Sequence, residues 1–277
     1  MIIISCRKDF TDTVFFNKKD EIREGDQVIA QNELVEKVRG KRILILIHGY
    51  NNEMPAVLDA YGKVLDILGL SHLLAPDPGG YDMVLGYAWP GGWSSLSFPL
   101  AVIRADKTAK RFRETVQALQ LSAATIDVQT HSLGARVALE ALDTDRIALR
   151  NLYLLAAAID DETMEKGEDY YNGAQRCSHV YALHSENDPV LKTAYRIGDV
   201  PEFDRALGWK GPQRPNKIRD HSPNTKIADC KQIVTTHGGY RQAAETYDYW
   251  LNELLTGSTP QFTELTREGV IGADGLP

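Results

Sequence analysis

From residue 41 onward, unbroken apolar runs alternate with stretches whose apolar positions recur every three or four residues. Lys41-Arg-Ile-Leu-Ile-Leu-Ile-His48 is apolar without alternation, the pattern of a parallel strand covered on both faces. After Gly49-Tyr50-Asn51-Asn52, the residues Met54, Val57, Leu58, Tyr61, Val64, Leu65 and Leu68 recur at helical spacing, with Pro55 suited to a first turn and Gly69 to a C-terminal cap. Asp82 to Trp89 predicts a second strand, followed by the irregular Pro90-Gly-Gly-Trp-Ser-Ser, and a helix follows over about Asp106 to Leu121 with Ala109, Phe112, Val116 and Leu119 as its buried stripe. Ile126 to His131 predicts a third strand that breaks at Thr130-His-Ser-Leu-Gly134 and continues as a helix to Leu142. Two more strands are expected over Asn151 to Ile159 and His179 to His184, and a short last one over Lys231 to Thr236. A closing helix spans Tyr240 to Leu255, with Ala244, Tyr247, Leu251 and Leu254 on one face. The opening Met1-Ile-Ile-Ile-Ser5 reads as a strand, because its apolar run is too short for a membrane span and no basic segment precedes it.

Repeated strand-helix alternation implies an α/β fold with a mostly parallel central sheet and helices on both faces. A single domain over residues 1–255 accounts for the pattern. Within it, residues 200–229 are rich in Pro, Gly and charge and read as a long loop or small cap. Residues 256–277 read as a polar, poorly ordered C-terminal tail. A chain of 277 residues buries roughly 70 to 75% of its unfolded surface, so a sizeable core is expected.

Charge and cysteine content narrow the function. A formal net charge of -7 and a pI near 5.5 argue against nucleic acid as a partner, since binders of phosphate backbones carry basic patches. No stable membrane insertion is expected either. Cys6, Cys177 and Cys230 are odd in number and far apart, which fits neither a disulfide framework nor a zinc site and points to the cytoplasm. With no metal-ligand spacing and no Gly-rich phosphate loop, neither metal nor cofactor is expected.

The residues that could carry chemistry all follow predicted strands, where an open parallel sheet gathers its ligands. At a sharp strand-to-helix turn the central side chain is thrust into the crevice, and the next backbone N–H and the helix N-terminus aim positive dipole at the same place. Thr-His-Ser-Leu-Gly offers Ser132 as nucleophile and the Leu133 N–H as oxyanion donor. Taken alone, a helix-capping serine is the simpler reading. What outweighs it is the order of partners. The loop after the first buried strand offers the Tyr50 N–H as a second oxyanion donor, with Gly49 allowing close approach. His237, between the last strand and the closing helix, is favoured as base over His221. Asp188, in Ser185-Glu-Asn-Asp-Pro189, is favoured as the acid over Asp160 and Asp161. Trp93, Leu96 and Phe98 are candidates for a substrate pocket, with core packing as the competing role. Thr130 stands two before the serine, where such a turn usually has Gly, so its bulk is expected to crowd the turn.

In that order, His48-Gly-Tyr-Asn-Asn52, Ala88-Trp-Pro-Gly91, Thr130-His-Ser-Leu-Gly134, Leu154-Leu-Ala-Ala-Ala-Ile-Asp160, the Asp188 turn and His237-Gly-Gly-Tyr240 resemble the α/β-hydrolases, and more narrowly the bacterial family DUF900. The resemblance covers roughly residues 41 to 255. It implies the α/β-hydrolase fold, Ser132 as nucleophile, Asp188 as acid, His237 as base, and Tyr50 and Leu133 as oxyanion donors. The sequence departs from the family at Ala158, where Pro usually precedes the Asp, and after His237, where a bulkier residue commonly stands. The triad positions are intact. Hydrolysis of a small-molecule acyl ester, with short acyl chains, is the expected activity. A thioester, amide or lactone, or a non-catalytic binding role on the same fold, would use the same sequence features.

Overall fold

A computed structural model describes residues 1–71, 73–74, 80–92, 98–197 and 205–272. The strands among them are β1 Ile2–Arg7, β2 Phe16–Glu24, β3 Gln27–Ile29, β4 Arg42–Ile47, β5 Met83–Ala88, β6 Thr125–His131, β7 Leu149–Leu155, β8 Cys177–His184, β9 Thr225–Asp229, β10 Phe262–Thr266 and β11 Gly269–Gly272. The helices are α1 Gln31–Lys37, α2 Met54–Leu70, α3 Phe98–Gln120, α4 Gly134–Leu142, α5 Tyr171–Ala174, α6 Pro189–Ile197, α7 Leu207–Lys210, α8 Pro215–His221 and α9 Ala244–Thr256. One sheet holds every strand, in the order β11-β10-β9-β8-β7-β6-β4-β5-β1-β2-β3. From β10 to β1 the neighbours are parallel, while β2, β3 and β11 add antiparallel edges.

The chain leaves β4 toward β5 and later leaves β6 in the opposite direction toward β7. The carboxyl ends of β4 and β6 therefore flank the switch point, where a crevice opens in this class of sheet. The crossovers from β4 to β5 and from β6 to β7 run in opposite directions, so right-handed connections put α2 and α4 on opposite faces of the sheet; α3 packs on α4, and α9 packs on α2. Five of the six β4 positions are buried, as their unbroken apolar run requires.

Beneath the switch point, Asp127 on β6 is fully buried yet has all its partners. Its carboxylate accepts two bonds from Arg150, at 2.9 and 2.7 Å, and further bonds from the Tyr81 hydroxyl at 2.6 Å and the Asn151 amide at 2.9 Å. Burial, then the Asp127 charge, pushes the Tyr81 hydroxyl well above its usual pKa, so it stays a donor. Asp127→Ala leaves Arg150, Asn151 and Tyr81 without their acceptor. Arg150 keeps 28% of its side chain exposed, so the expected cost is at the lower end for a broken buried pair, about 3 kcal/mol by denaturant unfolding. A change under about 0.5 kcal/mol, the size of an ordinary surface substitution, would show that this network does not hold the sheet.

The structure differs from the sequence expectations in several places: α3 already begins at Phe98, and β2, β3 and α1 precede β4. The last central strand is Thr225–Asp229, not Lys231 to Thr236. Lys226 disguises it, a buried lysine whose ammonium bonds Glu253 and the Thr259 carbonyl. Residues 256–277 were expected to be a disordered tail, but Phe262–Thr266 pairs in parallel with β9 and carries β11 in turn. Phe262 and Leu265 are buried there, and that burial offsets the entropy of ordering the segment. Of the expected loop or cap over 200–229, residues 205–229 supply α7, α8 and β9.

Candidate active site

Ser132 joins β6 to α4 with φ 54°, a left-handed conformation that costs a non-glycine residue about 1–3 kcal/mol and persists only where the surroundings enforce it. Its N–H donates to the Leu155 carbonyl at 2.9 Å, and its own carbonyl accepts from the N–H groups of Ala135 at 3.1 Å and Ala158 at 3.2 Å. The strained backbone is thus held from β7 and from α4 together. Two glycines permit this turn. A Cβ on Gly134 would lie 2.7 Å from the His48 carbonyl oxygen, and one on Gly49 would lie 2.8 Å from the Ser132 Cβ. The loop after β4 therefore packs directly on the turn. Thr130 does not disrupt it: the residue is buried, and its hydroxyl donates to the Tyr153 carbonyl on β7 at 3.3 Å.

Around Ser132 lie the two expected oxyanion donors. Leu133 precedes α4 with helical dihedrals, and its N–H has no hydrogen-bond acceptor among the described residues. Tyr50 sits in a loop fixed by several contacts. Asn51 adopts φ 57° and donates its N–H to Gly91 at 3.3 Å, and the Asn52 side chain donates to the Tyr50 carbonyl at 2.7 Å. His48 anchors the loop from below. Its Nδ1–H donates to the Gly49 carbonyl at 2.7 Å, its Nε2 accepts from the Trp89 N–H at 3.0 Å, and the Trp89 indole donates back to the His48 carbonyl at 2.8 Å. Burial, and then the nearby Arg7, hold the His48 pKa well below the usual range. A neutral imidazole is what this bonding pattern requires.

The expected base and the expected acid meet. Asp188 Oδ2 lies 2.7 Å from His237 Nδ1, while Asp188 Oδ1 accepts from the N–H groups of Val190 at 2.9 Å and Leu191 at 3.0 Å at the start of α6. Asp188 is fully buried and the His237 side chain is 18% exposed. The carboxylate is thus held by the helix end, while the imidazole stays partly exposed. His131, next to Ser132, donates its Nε2–H to the His237 carbonyl at 2.7 Å, with the two rings 4.6 Å apart. Burial, followed by His237 and Arg241, holds the His131 pKa well below normal, so it serves as a neutral strut. No hydrogen bond joins Ser132 Oγ to His237 Nε2 among the described residues. Such catalytic bonds commonly tighten only when substrate is bound.

The rival residues lie elsewhere. His221 is exposed at the end of α8, and its carbonyl accepts from the Tyr171 hydroxyl. Asp160 bridges Ala206 and is pushed up to about 7 by burial and then by Glu162 and Asp161, while Asp161 pairs with Arg205 at 3.0 Å. Of the pocket candidates, Phe98 opens α3 and meets the Tyr50 ring edge to face at 5.6 Å. Trp93 and Leu96 lie outside the described residues. Sequence reasoning missed Arg7, the buried residue that reaches the His48 loop from β1. The available signal was a guanidinium closing a strand buried at all six positions.

A strained serine on a strand-to-helix turn, an N–H beside it with no acceptor among the described residues and a carboxylate-held histidine are the groups that acyl transfer through a serine nucleophile would use. A family model described as an alpha/beta hydrolase of unknown function (DUF900) matches residues 25–220. Among solved structures, the chain is similar to a putative hydrolase of the alpha/beta superfamily from Xanthomonas campestris, at 16% identity over 79% of this chain and 100% of that one, with a TM-score of 0.42. It is also similar to an IroE-like serine hydrolase from Shewanella oneidensis, at 14% identity over 86% of this chain and 77% of that one, with a TM-score of 0.46. A third is carboxyl esterase 2 from Tuber melanosporum, at 12% identity over 79% and 80% of the two chains, with a TM-score of 0.43. No curated protein matches the sequence.

Proposed function

Because the chain belongs to the DUF900 family of alpha/beta hydrolases, we propose that it hydrolyses carboxylic esters of short acyl chain, with Ser132, His237 and Asp188 as its triad. The observation that carries this reading is the 2.7 Å contact from Asp188 to His237 Nδ1. That bond fixes the tautomer and leaves Nε2 with its lone pair free to take a proton. His237 removes the Ser132 proton as the hydroxyl oxygen attacks the acyl carbon, and the Leu133 and Tyr50 N–H groups hold the oxyanion. Collapse expels the alcohol, which takes the proton from His237. Water, activated by the same base, then releases the carboxylate and restores Ser132.

Short acyl chains are supported by the connection between β8 and β9. Among the described residues, the helices between β8 and β9 after α6 are α7, with four residues, and α8, with seven. The α7 segment supports the Asp188 turn, with the Gly208 carbonyl accepting from the Ser185 N–H and the Trp209 indole donating to the Glu186 carbonyl. It is therefore structural and no lid. One domain carries the activity, since a single sheet includes strands from Ile2 to Gly272. No described helix is long and apolar enough to cross a membrane. The cysteines Cys6, Cys177 and Cys230 are free and buried, which favours the cytoplasm.

The test is a panel of p-nitrophenyl esters of increasing acyl length, run beside a matched thioester and anilide. Esters should be turned over, with kcat/KM highest for the shortest acyl groups. A preference for the thioester or anilide, or for long chains, would refute that part of the proposal.

A further inference from the structure

The guanidinium of Arg7 is fully buried, and among the described residues no carboxylate forms an ion pair with it, Asp12 acting on it only through its charge. Removing a cation from water without a directly paired counter-ion costs several kcal/mol, and burial lowers its pKa to about 10. A core position of this kind is ordinarily apolar. What the arginine does instead is span the site's floor. The sheet order β4-β5-β1, with Ser5 level with Ala88, puts Arg7 just beyond the end of β5. From there Nε donates to the Trp89 carbonyl at 2.9 Å, and Nη2 donates to the Asn52 carbonyl at 2.8 Å and lies 3.1 Å from His48 Nε2. Asn52 closes the 48–52 loop and His48 opens it. A single planar fork therefore holds both ends of the loop that carries Tyr50, and ties them to the strand beside it.

We propose that Arg7 is the positioning residue of the oxyanion loop, holding the Tyr50 N–H where the developing oxyanion forms. This rests on the serine-hydrolase reading above. Preorganised donors stabilise a transition state because they need no reorganisation at the moment of reaction. A loop freed at both ends gives up that advantage while the triad stays intact. Lysine keeps the charge but offers one ammonium in place of a fork, and does not meet both ends of the loop at once.

The test compares wild type, Arg7→Lys and Arg7→Gln, each well below its own Tm, by three readouts: kcat and KM on the best ester, the rate of labelling by a fluorophosphonate, and amide hydrogen exchange over residues 48–52. In both variants kcat and the labelling rate should fall about a hundred-fold, the loss typical of one oxyanion donor, with KM little changed and exchange at 48–52 accelerated. Variants that lose Tm but keep kcat within about two-fold, or an exchange rate at 48–52 that does not change, would overturn the proposal. If neither variant folds, the wild type decides. Its Arg7 Nε–H and the 48–52 amides should lose exchange protection together on warming, and loss of one without the other would overturn it. A wild type that is inert to every ester and to the probe refutes the serine-hydrolase reading instead, and the exchange data then report on the loop alone.

Discussion

Ser132→Ala is expected to lower kcat for ester hydrolysis roughly a million-fold, the scale of loss when a serine nucleophile is removed. The residual rate should come from the oxyanion donors and substrate binding alone. Folding should be preserved. The Ser132 backbone makes its three hydrogen bonds through N–H and carbonyl groups, and alanine keeps the Cβ that already packs against Gly49. Far-UV circular dichroism and Tm close to wild type would separate lost chemistry from lost structure. Hydrolysis within about ten-fold of wild type by a folded Ser132→Ala would place the nucleophile elsewhere.

The second large effect distinguishes two acids. Asp188→Asn should reduce kcat about ten-thousand-fold, because an amide in place of the carboxylate oxygen facing His237 Nδ1 favours the wrong tautomer. The bonds from Val190 and Leu191 to Oδ1 let the side-chain oxygen of asparagine keep its place, so the protein should still fold. Asp160→Asn should leave kcat within about two-fold, the neutral outcome for a residue outside the catalytic unit. His237 Nδ1 meets Asp188, and among the described residues no hydrogen bond or ion pair joins it to Asp160. A larger loss at Asp160 than at Asp188, measured on one ester under one buffer, would reverse the assignment.

Much of the fold was legible because its central strands carry continuous apolar runs, as in Ile43 to Ile47, whose residues are all buried, and its helices show clean stripes. The failures have two physical origins. Where a polar side chain is buried by pairing, as Lys226 is with Glu253, the sequence pattern reads as surface and the strand is displaced. Phe262 and Leu265 were too sparse to reveal a strand, β10, that depends on pairing with β9 and β11 for its stability. At the site, the order Ser132, Asp188, His237 was readable from where each stands after a strand. The supporting contacts were not: His131 bracing His237 and Arg7 reaching from β1 to the loop after β4 depend on strands brought together by the sheet order. Thr130 shows the limit of a motif, since its hydroxyl finds the Tyr153 carbonyl and its bulk is absorbed where the pattern asks for glycine.

The central claim is that Ser132 is a nucleophile activated by His237 and Asp188. Its most direct test is intact-mass and peptide mapping after treatment with a fluorophosphonate, which reacts preferentially with an activated serine. The account predicts one adduct per chain, on the peptide containing Ser132, absent in Ser132→Ala and formed far more slowly in Asp188→Asn. No adduct on the folded wild type, or an adduct that persists in Ser132→Ala, would contradict it.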